Sequence, residues 1–180
     1  KNEWLSNFDI EKVMKQYEHT YPHFAFIGPS PLDFDKKKLY NACVWEELCN
    51  FDLKNYLKKN KTKIGIIFNM DPHYKGGSHW MCMMVDISKQ IVYYFDSNGD
   101  KCPKEIKKLV ERIKEQGRAF NIDFKFEENH PYEHQEGNTE CGMYVLYFII
   151  TILTGKREYK FFTSKKITDY DMEKYRTIFF

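Results

Sequence analysis

The sequence contains no run of 18 apolar residues, and its longest apolar stretch, Met143 to Leu153, is too short to span a bilayer as a helix. It shows no secretory signal pattern, no internal repeat and no low-complexity tract. No sign of charge dominates: 28 Lys and Arg stand against 26 Asp and Glu, for a net charge of +2. That balance removes the electrostatic argument for nucleic acid or a membrane surface as main partner. The basic segments at 36–38 and 58–63 are therefore read as solvated surface rather than nucleic-acid contacts. The five cysteines, Cys43, Cys49, Cys82, Cys102 and Cys141, are odd in number and lack tight spacing. Such spacing predicts no disulfide framework and points to a reducing compartment. For the same reason a closed zinc site is disfavoured, although His130, His134 and Cys141 can be drawn as ligands.

Hydrophobic residues make up 42% of the 180 residues and aromatics 17%, so the chain can bury a core, and we read one domain over 1–180. It begins with Lys1 rather than Met, which we take as a trimmed or processed piece with a missing N-terminal extension. Asn7 or Asp9 can cap a helix through about His19, with Ile10, Val13, Met14 and Tyr17 on one face. "PHFAFIGPSPLDFD" is read as irregular because of its prolines and Gly28. From Asp33 to Lys59 a loop and one or two helices are expected, with Asp52 as a cap. "KIGIIFNM", "SHWMCMMVDI" and "QIVYYFDS" read as strands, the last two forming a hairpin. Pro103 opens a helix closed by Gly117, and "IDFKFEEN" alternates like a strand. Cys141 to Thr154 reads as a buried helix stopped by Gly155, and Thr168 caps a last helix. The order implies an α+β domain with a mixed, mostly antiparallel sheet packed on helices.

The chemistry concentrates in "HQEGNTECGMYVLYF", residues 134–148. A thiol at the first residue of a helix meets free N–H groups and the positive end of the helix dipole, which favour thiolate. Cys141 is thus a candidate nucleophile, the alternative being an ordinary buried thiol. Gly142 leaves room beside it for a substrate backbone. A nucleophilic cysteine needs a base and the base an orienting group. His79 lies at a strand start, and Asp96 ends the next strand 17 residues later. An antiparallel hairpin turning near Ser88 brings the two close to opposite each other. Gln135 and the Cys141 N–H can supply an oxyanion hole.

His79-Trp80, then Asp96, then Gln135 with five residues before Cys141-Gly142, resembles the ubiquitin-like-protein (SUMO) proteases, cysteine peptidases of clan CE. Adenovirus-type proteases share their fold. "WLSNFDI" at the N-terminus is similar to the opening of the SUMO proteases. "LSNFDIEKVMKQY", "TECG" and the tail "FFTSKKITDYDMEKYRTIFF" more closely resemble the polyprotein-processing proteases of African swine fever virus and other large DNA viruses. That viral relative has Asn at the position of Asp96 and carries an N-terminal arm domain. The resemblance implies a papain-like, adenovirus-protease-like core with the nucleophile at a helix N-terminus. It implies His79, Asp96 and Cys141 as catalytic, Gln135 as oxyanion donor, and no metal or cofactor. Cleavage after Gly-Gly is implied, with Trp80 and Trp4 matching two tryptophans that roof a narrow tunnel; Trp4 can equally be a core anchor for the first helix. The implied partner is a protein substrate with a Gly-Gly motif, a viral polyprotein or a ubiquitin-like modifier. The implied location is the host cytoplasm at virus factories and the virion. An acetyltransferase on the same scaffold would need an acyl-CoA site, and no compact basic pocket is visible for one.

Overall fold

The computed structural model describes residues 3–76 and 78–180. The expectation attached to Lys1 and the Gly77 portion of "KGGS" lie outside the described residues. Helix α1 (Asn7–Thr20) is capped by Ser6, ahead of both expected caps, Asn7 and Asp9. The Ser6 Oγ accepts the Asp9 N–H at 3.2 Å, and the Asp9 carboxylate accepts the Ser6 N–H at 2.8 Å, a reciprocal capping box. The prolines of "PHFAFIGPSPLDFD" do not prevent a strand, contrary to expectation: β1 spans Phe24–Pro31. It lies at the sheet edge, where missing N–H donors are tolerated, and its register shifts between Ile27 and Ser30. Gly28, at φ +119°, brings its backbone close to the Ile67 carbonyl, where an added Cβ would lie at 2.6 Å.

Helix α2 (Glu46–Cys49) and helix α3 (Leu53–Lys58), the latter capped by Asp52, lead to β2 (Lys63–Asn69). Strands β3 (Trp80–Asp86) and β4 (Ile91–Phe95) form the expected hairpin. Helix α4 (Lys104–Arg118) then returns the chain to β5 (Lys125–Glu128). The five strands run in sequence order across one mixed sheet. Antiparallel pairing is confined to the centre, β2–β3 and β3–β4, whereas β1–β2 and β4–β5 are parallel. The parallel edges follow from their connections, because each is joined by a helical crossover rather than a tight turn. Gly117 does not close α4 as expected. It is buried inside the helix, where the Phe124 ring would stand 2.7 Å from a Cβ.

Alternate β3 side chains point to opposite faces. Trp80, Cys82 and Met84 face the buried helix α5 (Cys141–Leu153), while Met81, Met83 and Val85 face Ile106, Leu109 and Ile113 of α4. Both faces are covered, which is why the strand reads as an unbroken apolar run. Helix α5 is buried at every residue and ends before Gly155, at φ +76°. Helix α6 (Asp169–Phe179), capped by Thr168, packs against α5. Cys43 and Cys49 are joined as a disulfide, against the expectation drawn from spacing; their Cα atoms are 6.3 Å apart, at a sequence separation of only 6. Among the described residues no helix is long and apolar enough to cross a membrane.

Candidate active site

The β3–β4 register pairs Cys82 with Phe95, which sets His79 and Asp96 at neighbouring ends of the two strands. His79 is pinned by its carbonyl, which accepts the Met70 N–H at 2.9 Å. Its Nε2 lies 2.8 Å from Asp96 Oδ1. The same oxygen accepts the Asn98 N–H at 2.8 Å, and the Asp96 N–H donates to Asn129 Oδ1 at 2.9 Å. Asp96 is fully buried, and its Oδ2 has no hydrogen-bond partner among the described residues. Burial pulls the His79 pKa down, but the hydrogen bond that His79 donates to Asp96 and the adjacent Cys141 sulfur outweigh it and push the pKa up to about 10. The imidazolium form is therefore favoured at neutral pH.

Cys141 begins α5 and is 1% exposed. The first intrahelical bond there is the Tyr144 N–H to the Glu140 carbonyl, at 3.0 Å. The amides of Cys141, Gly142 and Met143 come before that bond and so have no intrahelical partner. The other two free thiols lie in different surroundings. Burial raises Cys82 well above the ordinary thiol range, with Asp96 adding to it. Burial likewise pushes Cys102 up to about 12. His79 stands against Cys141 alone of these three.

Gln135 is buried and fixed on both sides of its amide. Its Oε1 accepts the Ser97 hydroxyl at 2.6 Å, and its Nε2 donates to the Gly137 carbonyl at 2.9 Å. The Ser97 carbonyl accepts the His134 and Gln135 N–H groups, both at 2.9 Å. Asp169 of α6 holds the next turn of this loop, accepting the Gly137 N–H at 2.7 Å and the Tyr144 hydroxyl at 2.8 Å. Ser97, Asn129 and Asp169 are supports that inspection of the chain missed. Ser97 is adjacent to Asp96, but "DSNG" reads as a turn and hides it; Asn129 and Asp169 carry no local signal.

The two tryptophans differ. Trp80 is 3% exposed and donates its indole N–H to the Leu5 carbonyl at 3.3 Å. Trp4 is 43% exposed, so it is not the core anchor considered as an alternative; Leu5 takes that place. Both tryptophans line a groove of about 770 Å³ together with Asn69, His73 and Trp45. The groove reaches Trp80 and does not include the Cys141 sulfur. The expected room beside Gly142 is filled: an added Cβ would meet three carbons of the Leu5 side chain at 3.0–3.2 Å. Gly142 is therefore a packing requirement of Leu5, a correction to its reading as substrate space. The zinc alternative also loses its ligands. His134 donates from Nε2 to the Phe162 carbonyl at 2.8 Å and accepts the Ile167 N–H on Nδ1 at 3.0 Å, while His130 faces the Gly99 carbonyl. Burial lowers the His134 pKa, in keeping with this neutral, doubly bonded ring.

A helix-start thiol, a buried imidazole against it and a carboxylate behind the imidazole, set on a mixed sheet, define the cysteine-protease class. The chain belongs to the Ulp1 protease family, since residues 42–180 match the model of that family's C-terminal catalytic domain. It is 36% identical over 157 residues to a chain named as a thiol protease in Acanthamoeba polyphaga mimivirus, covering 86% of this chain and 49% of that one. It is 30% identical over 188 aligned positions to the SUMO-1 cysteine protease of African swine fever virus, covering 98% of this chain and 67% of that one. The crystal structure of the African swine fever virus protease superposes with a TM-score of 0.84 at 26% identity, over 100% of this chain and 68% of that one. The chain thus spans about half to two thirds of the length of these relatives.

Proposed function

We propose that the protein is a cysteine endopeptidase that cleaves after Gly-Gly-type sites and processes viral core or capsid polyproteins during virion maturation. The observation that carries the chemistry is the His79 imidazole held between Asp96 at 2.8 Å and the Cys141 sulfur. The Cys141 thiolate attacks the scissile carbonyl carbon, forming the S–C bond of a tetrahedral oxyanion. Its oxygen is held by the Cys141 N–H and by the Gln135 amide, after that amide turns from Gly137. Collapse breaks the C–N bond, and His79 gives its proton to the leaving amine. His79 then takes a proton from water, whose oxygen attacks the thioester and releases the acid and the thiolate. Asp96 fixes the His79 tautomer and stabilises its cation. Each oxyanion donor is worth about 2.7–4 kcal/mol in sites of this kind.

Gly-Gly selectivity is supported by Trp4 and Trp80 lining one groove, because indole faces passing an extended chain leave no space for a side chain. A second reading is a deconjugase acting on a ubiquitin-like modifier. The African swine fever virus relative is named a SUMO-1 protease, and Phe8 lies 82% exposed on the groove wall, available to a folded partner.

A labelling panel separates the two. The protein and Cys141→Ala are incubated with SUMO, ubiquitin and a short Gly-Gly peptide, each ending in a thiol-reactive group. Labelling by the short peptide, lost in the variant, is the expected result. Preferential labelling by a whole modifier would move the function to the deconjugase. Undiminished labelling of Cys141→Ala would remove Cys141 as nucleophile.

A further inference from the structure

Glu140 is the residue before Cys141 and is only 4% exposed. Its carboxylate makes no cap bond to its own helix. It is held instead by Arg176 of α6, whose Nε donates to Oε2 at 3.1 Å and whose Nη2 donates to Oε1 at 3.0 Å. The Thr139 hydroxyl adds a longer bond at 3.4 Å. The same Arg176 Nη2 donates to the Glu3 carbonyl at 2.7 Å, on the segment that runs into Trp4 and Leu5. One guanidinium therefore joins the turn before Cys141 to the segment that packs on Gly142 and bonds Trp80.

The electrostatics give this tie a consequence. A buried carboxylate next to a sulfur opposes a second negative charge there unless a cation cancels it. Among the described residues, His79 stands against the Cys141 sulfur with Asp96 behind it, Glu140 precedes Cys141 and is bonded by Arg176 of α6, and Tyr144, one turn on in α5, is bonded to Asp169. His79 is matched to Asp96, and Arg176 is the cation matched to Glu140.

We infer that Arg176 is a positioning residue for the thiol chemistry: it cancels the Glu140 charge on the turn before Cys141 and anchors the Trp4–Leu5 segment over the nucleophile turn. The inference rests on Cys141 being the nucleophile.

The test is the rate of Cys141 alkylation by iodoacetamide against pH, read by peptide mass spectrometry, with thermal melts of each variant. Arg176→Gln is expected to move the half-maximal pH up by about one unit and to slow alkylation at pH 7 about tenfold. Adding Glu140→Gln to it removes the uncompensated charge and should restore the rate to within about threefold of the parent. Arg176→Lys, which keeps the charge but not the fork, should fall between. Glu140→Gln alone should shift the midpoint the other way, downward, and this variant serves if Arg176→Gln melts too low to assay. An unshifted Arg176→Gln, a double variant that is folded but not restored, or an upward shift in Glu140→Gln would each overturn the inference. A parent Cys141 that alkylates no faster than free cysteine at pH 7 would overturn the nucleophile assignment itself, and the inference with it.

Discussion

His79 and Asp96 sit at the ends of one hairpin, 17 positions apart and joined by a continuous antiparallel ladder. Gln135 and Cys141 sit on a loop and a helix start whose supports come from elsewhere: Ser97 after β4, Asp169 and Arg176 on α6, and Leu5 near the N-terminus. The acid–base half is thus fixed mainly by local pairing, with Asn129 as a distant support of Asp96. The nucleophile half depends on contacts spanning more than 30 residues. Perturbing the first half should change the chemistry outright, and stability through the pH-dependent His79–Asp96 pair. Perturbing the second should loosen geometry by degrees.

The largest expected effect is at the hairpin. Asp96→Asn removes the charge that stabilises the His79 cation, and kcat/KM should fall by about 10²–10⁴. The pH profile should change with it. In the parent, His79 stays protonated until about pH 10, so the alkaline limb of a thiolate–imidazolium enzyme falls near that pH. In Asp96→Asn the alkaline limb should move toward the ordinary histidine range. The linkage has a definite sign: a histidine whose folded pKa is raised contributes stability fully present below about 6.5 and lost as pH rises toward about 10. Melts across that window should therefore decline in the parent and stay flatter in Asp96→Asn. An unchanged alkaline limb in the variant would mean that the hairpin does not control His79.

A smaller effect is expected from the supports of the nucleophile half. Ser97→Ala removes the 2.6 Å bond that orients Gln135 without touching Gln135 itself. Since loss of a whole oxyanion donor costs about 10²–10³ in kcat, its misalignment should cost roughly tenfold. The loss should appear in kcat with KM nearly unchanged, and Gln135→Ala should cost more. Equal losses in the two variants would show that Ser97 does more than orient the amide.

The same contrast explains what could be read from the chain. The closeness of His79 to Asp96 was legible because hairpin pairing converts sequence distance directly into spatial distance. The burial of α5 was legible from its unbroken apolar pattern, and Thr168 and Asp52 were legible as caps. Strand β1 was not, because Pro29 and Pro31 usually end a strand and only an edge position tolerates them. The parallel edges escaped because the residues of a strand do not state which neighbour it will take. Ser97, Asn129, Asp169 and Arg176 are ordinary surface residue types, given meaning only by partners far along the chain. Gly142 was visible as a required glycine, but the atom that requires it was not.

That last residue offers the finest test. Were Gly142 kept small for a substrate backbone, Gly142→Ala would lower kcat/KM and leave stability intact. The structure instead sets Leu5 against it, with a new Cβ at 3.0 Å from Leu5 Cδ1, 3.1 Å from its Cβ and 3.2 Å from its Cγ. Such contacts force a buried side chain to shift, at a cost of about 1–3 kcal/mol. For a chain of this size that lowers Tm by roughly 2–10 °C. Activity should fall only as Leu5 and the neighbouring Trp4 are displaced. The double variant Leu5→Ala/Gly142→Ala relieves the clash, so the two substitutions should be strongly non-additive, the glycine change costing little once Leu5 is truncated. Additive losses in Tm would break the link between the N-terminal segment and the nucleophile turn, and with it the difference drawn between the two halves.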